Sequence, residues 1–140
     1  MHENEELIHR LYMSLQQLDA EGMLACYHDD ASFRDPVFIL KSKAEISAMW
    51  TMLCSGAREF GLTFEQVNAD DNSGSAKLEA TYQFSQTNRK VLNKIVAKFQ
   101  FKDGLIIEHN DSFNFWKWSR QALGTPGYLL GWSSVLQKKV

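Results

Sequence analysis

Hydrophobic positions recur at helical spacing in the first part of the chain and alternate with polar positions in the second part. Residues 5–18 carry leucine and isoleucine on one side and charged or amide side chains on the other, which predicts an amphipathic first helix. A shorter second helix is predicted after Asp19, a suitable N-cap, with its end near His28. Residues 44–53 repeat the helical pattern, so we expect a third helix there.

Alternation with period two predicts four strands, at residues 62–68, 78–84, 93–101 and 105–115. Turn-forming residues separate the last three, and the Asp-Gly pair within residues 102–104 is typical of a tight hairpin. The pattern therefore predicts an α+β fold in which three helices precede an antiparallel meander.

Composition narrows the class of protein. A chain of 140 residues with 44% apolar residues makes one domain, residues 1–140. The formal charge of −2 argues against a general nucleic-acid binder. The first residues lack the pattern of a secretory signal, and no apolar run approaches the roughly 18 residues of a membrane span. Cys26 and Cys54 match no metal or redox motif. We therefore expect a cytoplasmic protein with reduced cysteines.

The last predicted strand places two polar residues among apolar ones. His109 and Asp111 have the same parity as Ile107 and Phe113, whereas the residues between them are polar. A carboxylate on an apolar face needs a partner, a proton or a water-filled cavity, which makes Asp111 a candidate site residue. The alternative is a buried histidine–aspartate pair that only stabilises the strand.

The same test places Asn93 and Tyr82 on the inward face of their strands. Asn93 could orient a ligand or bond the backbone near a strand end, and Tyr82 could simply fill the core. Asp35 precedes Pro36, so on its own it is most simply explained as the start of a turn, with an edge strand or turn following it.

A metal site is not predicted, because His109 and Asp111 supply only two ligands and a facial triad would need a second inward histidine. Residues 116–123 are predicted as one or two helical turns ending at Gly124. The apolar segment GYLLGW, residues 127–132, then either packs across the sheet or meets a second subunit.

Several segments together resemble a known superfamily. The stretch YHDDASFRDP, the helix with Ile46, Met49 and Trp50, and the stretch FKDGLIIEH are similar to the fold shared by nuclear transport factor 2, ketosteroid isomerase and the SnoaL-like polyketide cyclases. The closing residues 109–132 resemble an uncharacterised bacterial group of SnoaL-like proteins. The resemblance implies a cystatin-like cone, in which a strongly curved antiparallel sheet packs on three N-terminal helices around a pocket, and a homodimer formed through the sheet.

The resemblance carries over to individual residues only in part. Asp35 falls where ketosteroid isomerases have their general base. Leu11 stands at the position of their oxyanion-hole tyrosine, with Tyr12 expected to face elsewhere, and Ala97 stands at the position of their protonated aspartate. Because an enolate without such donors loses its main electrostatic stabilisation, we expect no steroid isomerisation.

SnoaL-like cyclases use an acid/base carboxylate on a late strand, which corresponds to the region of Asp111, and His109 could bond it. The epoxide hydrolases of this fold use an Asp-Arg-Asp arrangement, and the inward face of the last two strands offers no arginine. The resemblance thus implies a cofactor-free isomerase, cyclase or hydratase that acts on a small hydrophobic carbonyl compound, with Asp111 or Asp35 as base and His109 as partner. The residues expected around the pocket are Tyr27, Trp50, Tyr82, Asn93, Phe99 and Phe113.

The alternative is a non-catalytic ligand-binding or protein-interaction module, because one fold supports both functions. The two are distinguished by the interior of the cone. A cavity of a few hundred Å³ that reaches His109 and Asp111 favours a small molecule, whereas a cone filled by tryptophan and phenylalanine favours the module.

Overall fold

A computed structural model describes residues 1–84 and 86–124 of the chain. It contains four helices and six strands within that part. The helices are α1 (Glu3–Gln16), α2 (Ala20–Leu24), α3 (Lys43–Gly56) and α4 (Phe115–Ala122). The strands are β1 (Tyr27–Arg34), β2 (Ile39–Leu40), β3 (Arg58–Ala69), β4 (Ser73–Phe84), β5 (Arg89–Lys102) and β6 (Leu105–Ser112).

The six strands form one curved sheet in the order β2-β1-β6-β5-β4-β3. All neighbouring pairs are antiparallel except β1 and β6, which run parallel, so the sheet is mixed. Register shifts interrupt the β3–β4 and β5–β6 pairs, and bulges of this kind bend a sheet. The predicted α+β class, with helices packed against a curved sheet, is confirmed.

The helices begin at side-chain caps and bury one face each. Ser42 Oγ accepts a hydrogen bond from the backbone N–H of Glu45 at the start of α3, and His2 Nδ1 accepts one from Asn4 at the start of α1. On α1 the fully buried positions include Ile8, Leu11 and Tyr12. These side chains fix the helix against the inner face of the sheet, where it packs mainly on β3.

Two boundaries differ from the sequence prediction. The second helix ends at Leu24 instead of near His28, because β1 begins at Tyr27 and lies between β2 and β6, where both of its edges find partners. The last strand ends at Ser112 instead of residue 115, because Asn114 Oδ1 accepts the N–H of Lys117 and caps α4.

A bulge in β6 changes which isoleucine faces the core. Phe101 pairs with Ile106 and Gln100 pairs with Glu108, so Ile107 has no partner in the register. Ile106 is therefore fully buried and Ile107 is only half-buried, whereas the parity of the strand predicted the opposite. The bulge lies before His109, so the inward direction of His109 and Asp111 is as the alternation predicted.

The turn before β6 is the predicted hairpin. Asp103 and Gly104 both have positive φ, 54° and 76°, as a type I′ turn requires at its two central positions. Among the described residues, no helix combines the length and the apolar composition needed to cross a membrane.

Candidate functional site

A cavity of about 370 Å³ lies between the inner face of the sheet and the helices α1, α3 and α4. Its walls are mostly apolar and rich in aromatic rings, including Phe33, Phe38, Trp50, Phe60, Phe113 and Trp118. Two carboxyl groups, Asp35 and Asp111, face it, and none of its described lining residues is a lysine, arginine or histidine. The cavity is therefore an apolar space with two acidic groups and no basic side chain on its described walls.

Asp111 is held in place by His109 on the same strand. Their positions two residues apart on β6 put both on the inward face, where Asp111 pairs with Ala97 and His109 with Phe99 of β5. His109 Nε2 lies 2.8 Å from Asp111 Oδ1, and the two side chains are 1% and 11% exposed. Oδ2 of Asp111 makes no hydrogen bond to a described residue, so it is the oxygen available to a ligand.

His109 itself lies behind the cavity wall. Its ring packs against Phe33 and Phe99, with centroids 4.8 and 4.5 Å away, and its Nδ1 lies 2.8 Å from the hydroxyl of Tyr27. Trp50 Nε1 donates to the same hydroxyl at 3.2 Å. His109 is thus a buried support for Asp111 and does not line the cavity.

Asp35 combines a turn role with a place on the cavity wall. Its Oδ1 accepts the backbone N–H groups of Val37 and Phe38, both at 2.7 Å, which is the turn that Pro36 predicts. Burial raises the pKa of Asp35 to about 6 and the charge of Asp111 adds to that rise, while the two backbone N–H groups oppose it. Oδ2 again makes no hydrogen bond to a described residue.

Four of the six residues expected around the pocket line this cavity, namely Trp50, Tyr82, Asn93 and Phe113. Tyr27 and Phe99 do not, because both lie behind the wall in contact with His109. The Tyr82 hydroxyl accepts from Trp118 Nε1 at 2.6 Å. The amide of Asn93 makes no hydrogen bond to a described residue, so the backbone-bonding alternative is not what the structure shows.

The prediction for Tyr12 was also wrong. Tyr12 does not face elsewhere on the helix: it is 1% exposed, lines the cavity, and its hydroxyl has no hydrogen-bond partner among the described residues. Burial and, to a lesser degree, the charge of Asp111 raise its pKa well above the usual value, so the hydroxyl keeps its proton. The inward position of Tyr12 could have been predicted from the sequence, because Tyr12 follows Ile8 by four residues and precedes Leu15 by three on the same apolar stripe.

Two further expectations concern metals and the C-terminus. Among the described residues, no three histidine, cysteine, aspartate or glutamate side chains come together as metal ligands. Trp118 lines the cavity, whereas Trp116 is 57% exposed. The segment GYLLGW, with Tyr128 and Trp132, lies outside the described residues.

Comparison with known proteins identifies the family to which the chain belongs. The profile of the SnoaL-like domain matches residues 8–109. No curated protein matches the sequence.

Solved structures with the same fold share little sequence with this chain. An NTF2-like protein of unknown function from Burkholderia pseudomallei superposes with a TM-score of 0.78 at 16% identity, over 88% of this chain and 99% of its own. An LEH-like epoxide hydrolase from M. tuberculosis gives 0.72 at 15%, over 92% and 96%. A putative polyketide cyclase from Silicibacter sp. gives 0.70 at 20%, over 85% and 94%. At these identities the similarity shows the fold alone.

Proposed function

Because the chain belongs to the family of SnoaL-like domains, we propose that it is a cofactor-free acid/base enzyme whose substrate is a small hydrophobic carbonyl compound. The proposed reaction is a proton transfer of the isomerase, cyclase or hydratase type. Asp111, Asp35 and Tyr12 carry it, and His109 supports Asp111.

The observation that carries this proposal is the pair of carboxyl groups on an apolar wall. Each has one oxygen fixed by the protein, through His109 or through two backbone N–H groups, and one oxygen without a described partner. Burial is expensive for such groups, and it raises the pKa of Asp35 to about 6. Two carboxyl groups in different environments are a common basis for separate acid and base roles.

The roles follow from these environments. Asp111 Oδ2 takes the proton from the carbon next to the substrate carbonyl. The Tyr12 hydroxyl, a buried donor without a described partner, donates to the carbonyl oxygen as negative charge develops on it. Asp35 is protonated in a substantial fraction of molecules near pH 6, so it returns a proton to a second atom of the substrate.

The cavity also bears on the competing function. A cone filled by aromatic side chains would favour a non-catalytic interaction module, whereas this one encloses about 370 Å³ and reaches Asp111, with His109 behind its wall. That volume is at the lower end of the range typical of small-molecule sites. Water activation by an Asp-Arg-Asp arrangement is disfavoured, because no arginine is among the described lining residues.

The proposal is tested by hydrogen exchange at carbon. The protein is incubated in D2O with cyclohexanone, acetophenone or 2-tetralone, and loss of the proton signals next to the carbonyl is followed by NMR. We expect exchange above the buffer rate for at least one ketone, and a decrease of about 100-fold or more in Asp111→Asn, the range typical of a lost general base.

The matched control is Glu108→Gln, which removes a carboxylate from the same strand at a position outside the cavity lining and should leave the rate unchanged. Full exchange activity in Asp111→Asn would show that Asp111 is not the base. An exchange rate no higher than buffer for all three ketones would contradict the proposed substrate class.

A further inference from the structure

A chain of three hydrogen bonds runs behind the cavity wall from α3 to β6. Trp50 Nε1 lies 3.2 Å from the Tyr27 hydroxyl, this hydroxyl lies 2.8 Å from His109 Nδ1, and His109 Nε2 lies 2.8 Å from Asp111 Oδ1. Tyr27 and His109 are 0% and 1% exposed. The function proposed above uses Asp111 and gives no role to Tyr27 or to the indole N–H of Trp50.

Only one donor–acceptor direction along these three hydrogen bonds gives every buried proton an acceptor. The indole N–H of Trp50 is a donor only, so the Tyr27 oxygen accepts from it. The hydroxyl proton of Tyr27 then needs an acceptor, and among the described residues His109 Nδ1 is the one within reach. His109 therefore carries its proton on Nε2 and donates it to Asp111. The opposite tautomer would leave the Tyr27 hydroxyl proton buried without an acceptor among the described residues, which is unfavourable.

The two hydrogen bonds fix the orientation of the imidazole, because a ring turned over would face the Tyr27 hydroxyl and Asp111 with carbon atoms, and packing fixes the position of the ring. Phe33 and Phe99 contact the His109 ring on two sides, and the Tyr27 ring lies nearly parallel to it with centroids 6.0 Å apart. Phe33 and Phe99 are also its register partners on the neighbouring strands β1 and β5. The ring position is therefore set by three strands at once.

We propose that Tyr27 is a positioning residue that holds His109 in the Nε2–H tautomer, and that Trp50 orients Tyr27. Together these hydrogen bonds keep Asp111 Oδ1 engaged, so that Oδ2 is the reacting oxygen. The inference rests on the proposed function for the identity of the reacting group. It adds two residues, Tyr27 and Trp50, that act on the reaction through His109 without contact between the Tyr27 hydroxyl and the substrate.

The same cavity offers a matched comparison. Trp118 Nε1 donates to the Tyr82 hydroxyl at 2.6 Å, which is a second indole-to-phenol hydrogen bond, but no hydrogen bond joins Tyr82 to a histidine among the described residues. Tyr82→Phe therefore removes the same chemical group as Tyr27→Phe. It does so without breaking the chain to His109.

The test determines the tautomer of His109 by NMR and needs no substrate. Long-range ¹H–¹⁵N correlation spectra of the histidine rings, with His109 assigned by its loss in His109→Gln, should show the proton on Nε2 in the wild type. Tyr27→Phe should convert His109 to a mixture of tautomers, Trp50→Phe should cause a smaller shift in the same direction, and Tyr82→Phe should leave His109 unchanged.

The kinetic counterpart uses the exchange assay above. Tyr27→Phe should lower kcat about tenfold with KM unchanged, as expected when a supporting hydrogen bond worth about 1.4 kcal/mol is lost. A wild-type His109 with its proton on Nδ1, or a Tyr27→Phe variant that keeps the pure Nε2–H tautomer, would overturn the inference. If Tyr27→Phe fails to fold, the wild-type spectrum and Trp50→Phe still decide it. Failure of the proposed function appears separately, as absence of exchange in the wild type with the Nε2–H tautomer intact.

Discussion

The position of Asp35 in the cavity wall lowers the free energy of unfolding when its carboxyl group is ionised. Its carboxyl group loses hydration at the cavity wall, and its pKa rises to about 6, whereas an aspartate in an unfolded chain has a pKa of about 4. The folded state therefore binds more protons than the unfolded state between about pH 4 and pH 6. It follows that the free energy of unfolding decreases as the pH rises through this range.

We expect Asp35→Asn to abolish this decrease. The amide oxygen of asparagine can still accept the N–H groups of Val37 and Phe38, so the turn is retained while the ionisable group is lost. The variant should match the wild type near pH 4 and be about 1–2 kcal/mol more stable at pH 7.5, a value reduced to allow for partial exposure. Urea unfolding at the two pH values measures the difference. A variant less stable than the wild type at pH 7.5 would contradict the assignment of a destabilising charge.

Prediction from the sequence at the scale of single residues succeeded where a short-range pattern decides the outcome. The alternation of β6 places His109 and Asp111 inward, since both residues lie beyond the bulge. It misplaced Ile107, because a bulge depends on the partner strand and leaves no mark on the local pattern. The position of Tyr12 could be predicted from the apolar stripe of the first helix, whereas the resemblance to ketosteroid isomerases points to Leu11, one position earlier.

Among the elements, α4 illustrates how a short helix is held at a sheet edge. β6 ends opposite Val96, so no strand within the described residues pairs with the earlier part of β5 on that side. The side chain of Gln121 takes the place of a strand there, accepting from Leu92 N at 2.8 Å and donating to Leu92 O at 3.1 Å. Arg89 donates to the carbonyl oxygens of Arg120 and Gln121 at the end of the helix.

We expect Gln121→Leu to loosen α4 without unfolding the sheet. Two hydrogen bonds to the β5 backbone are lost, which should destabilise the docking of α4 by about 1–3 kcal/mol. Hydrogen–deuterium exchange should then be faster in α4 and at Leu92, and unchanged in α1. Lys117→Ala, an exposed side chain on the same helix, is the control. Equal protection of α4 in wild type and Gln121→Leu would show that the hydrogen bonds of Gln121 do not hold the helix.

The two boundary differences have different physical origins. Residues 25–28 follow a helical pattern locally, yet Tyr27 starts a strand because β6, some eighty residues later, pairs with it in parallel. Such a pairing is formed by residues far apart in the chain, so a window of neighbouring residues cannot reveal it. The capped start of α4 was local, and Asn114 could have been recognised as its N-cap.

At the scale of the whole molecule, the resemblance of a few segments was enough to assign the fold and the family, because the arrangement of helices and hairpins is shared along nearly the whole chain. It did not supply the site. The site combines side chains from β1 and the turn after it, from β6, from α1 and from α3. The distances between these side chains depend on how the elements pack.

The outward face of the sheet is where we expect a homodimer to form. On this face of β5, Leu92 and Val96 are 42% and 39% exposed and alternate with lysines, and Lys94 lies 3.8 Å from Glu79 of β4. Single exposed apolar side chains are normal on a protein surface, so the expectation of a dimer rests on the resemblance, which implies association through the sheet. Leu92 and Val96 are the apolar side chains that such a contact would bury on β5.

Val96→Lys would extend the row formed by Lys94 and Lys98, so that two copies facing each other across a two-fold axis bring like charges together. The dissociation constant of the dimer should rise at least about tenfold, which corresponds to roughly 1.4 kcal/mol. Sedimentation equilibrium measures it directly. Ile39→Lys, which adds the same charge at a 59% exposed position on the edge strand β2, should leave it unchanged. A dimer weakened by Ile39→Lys and not by Val96→Lys would place the contact at the sheet edge, and a wild-type monomer would contradict the homodimer itself.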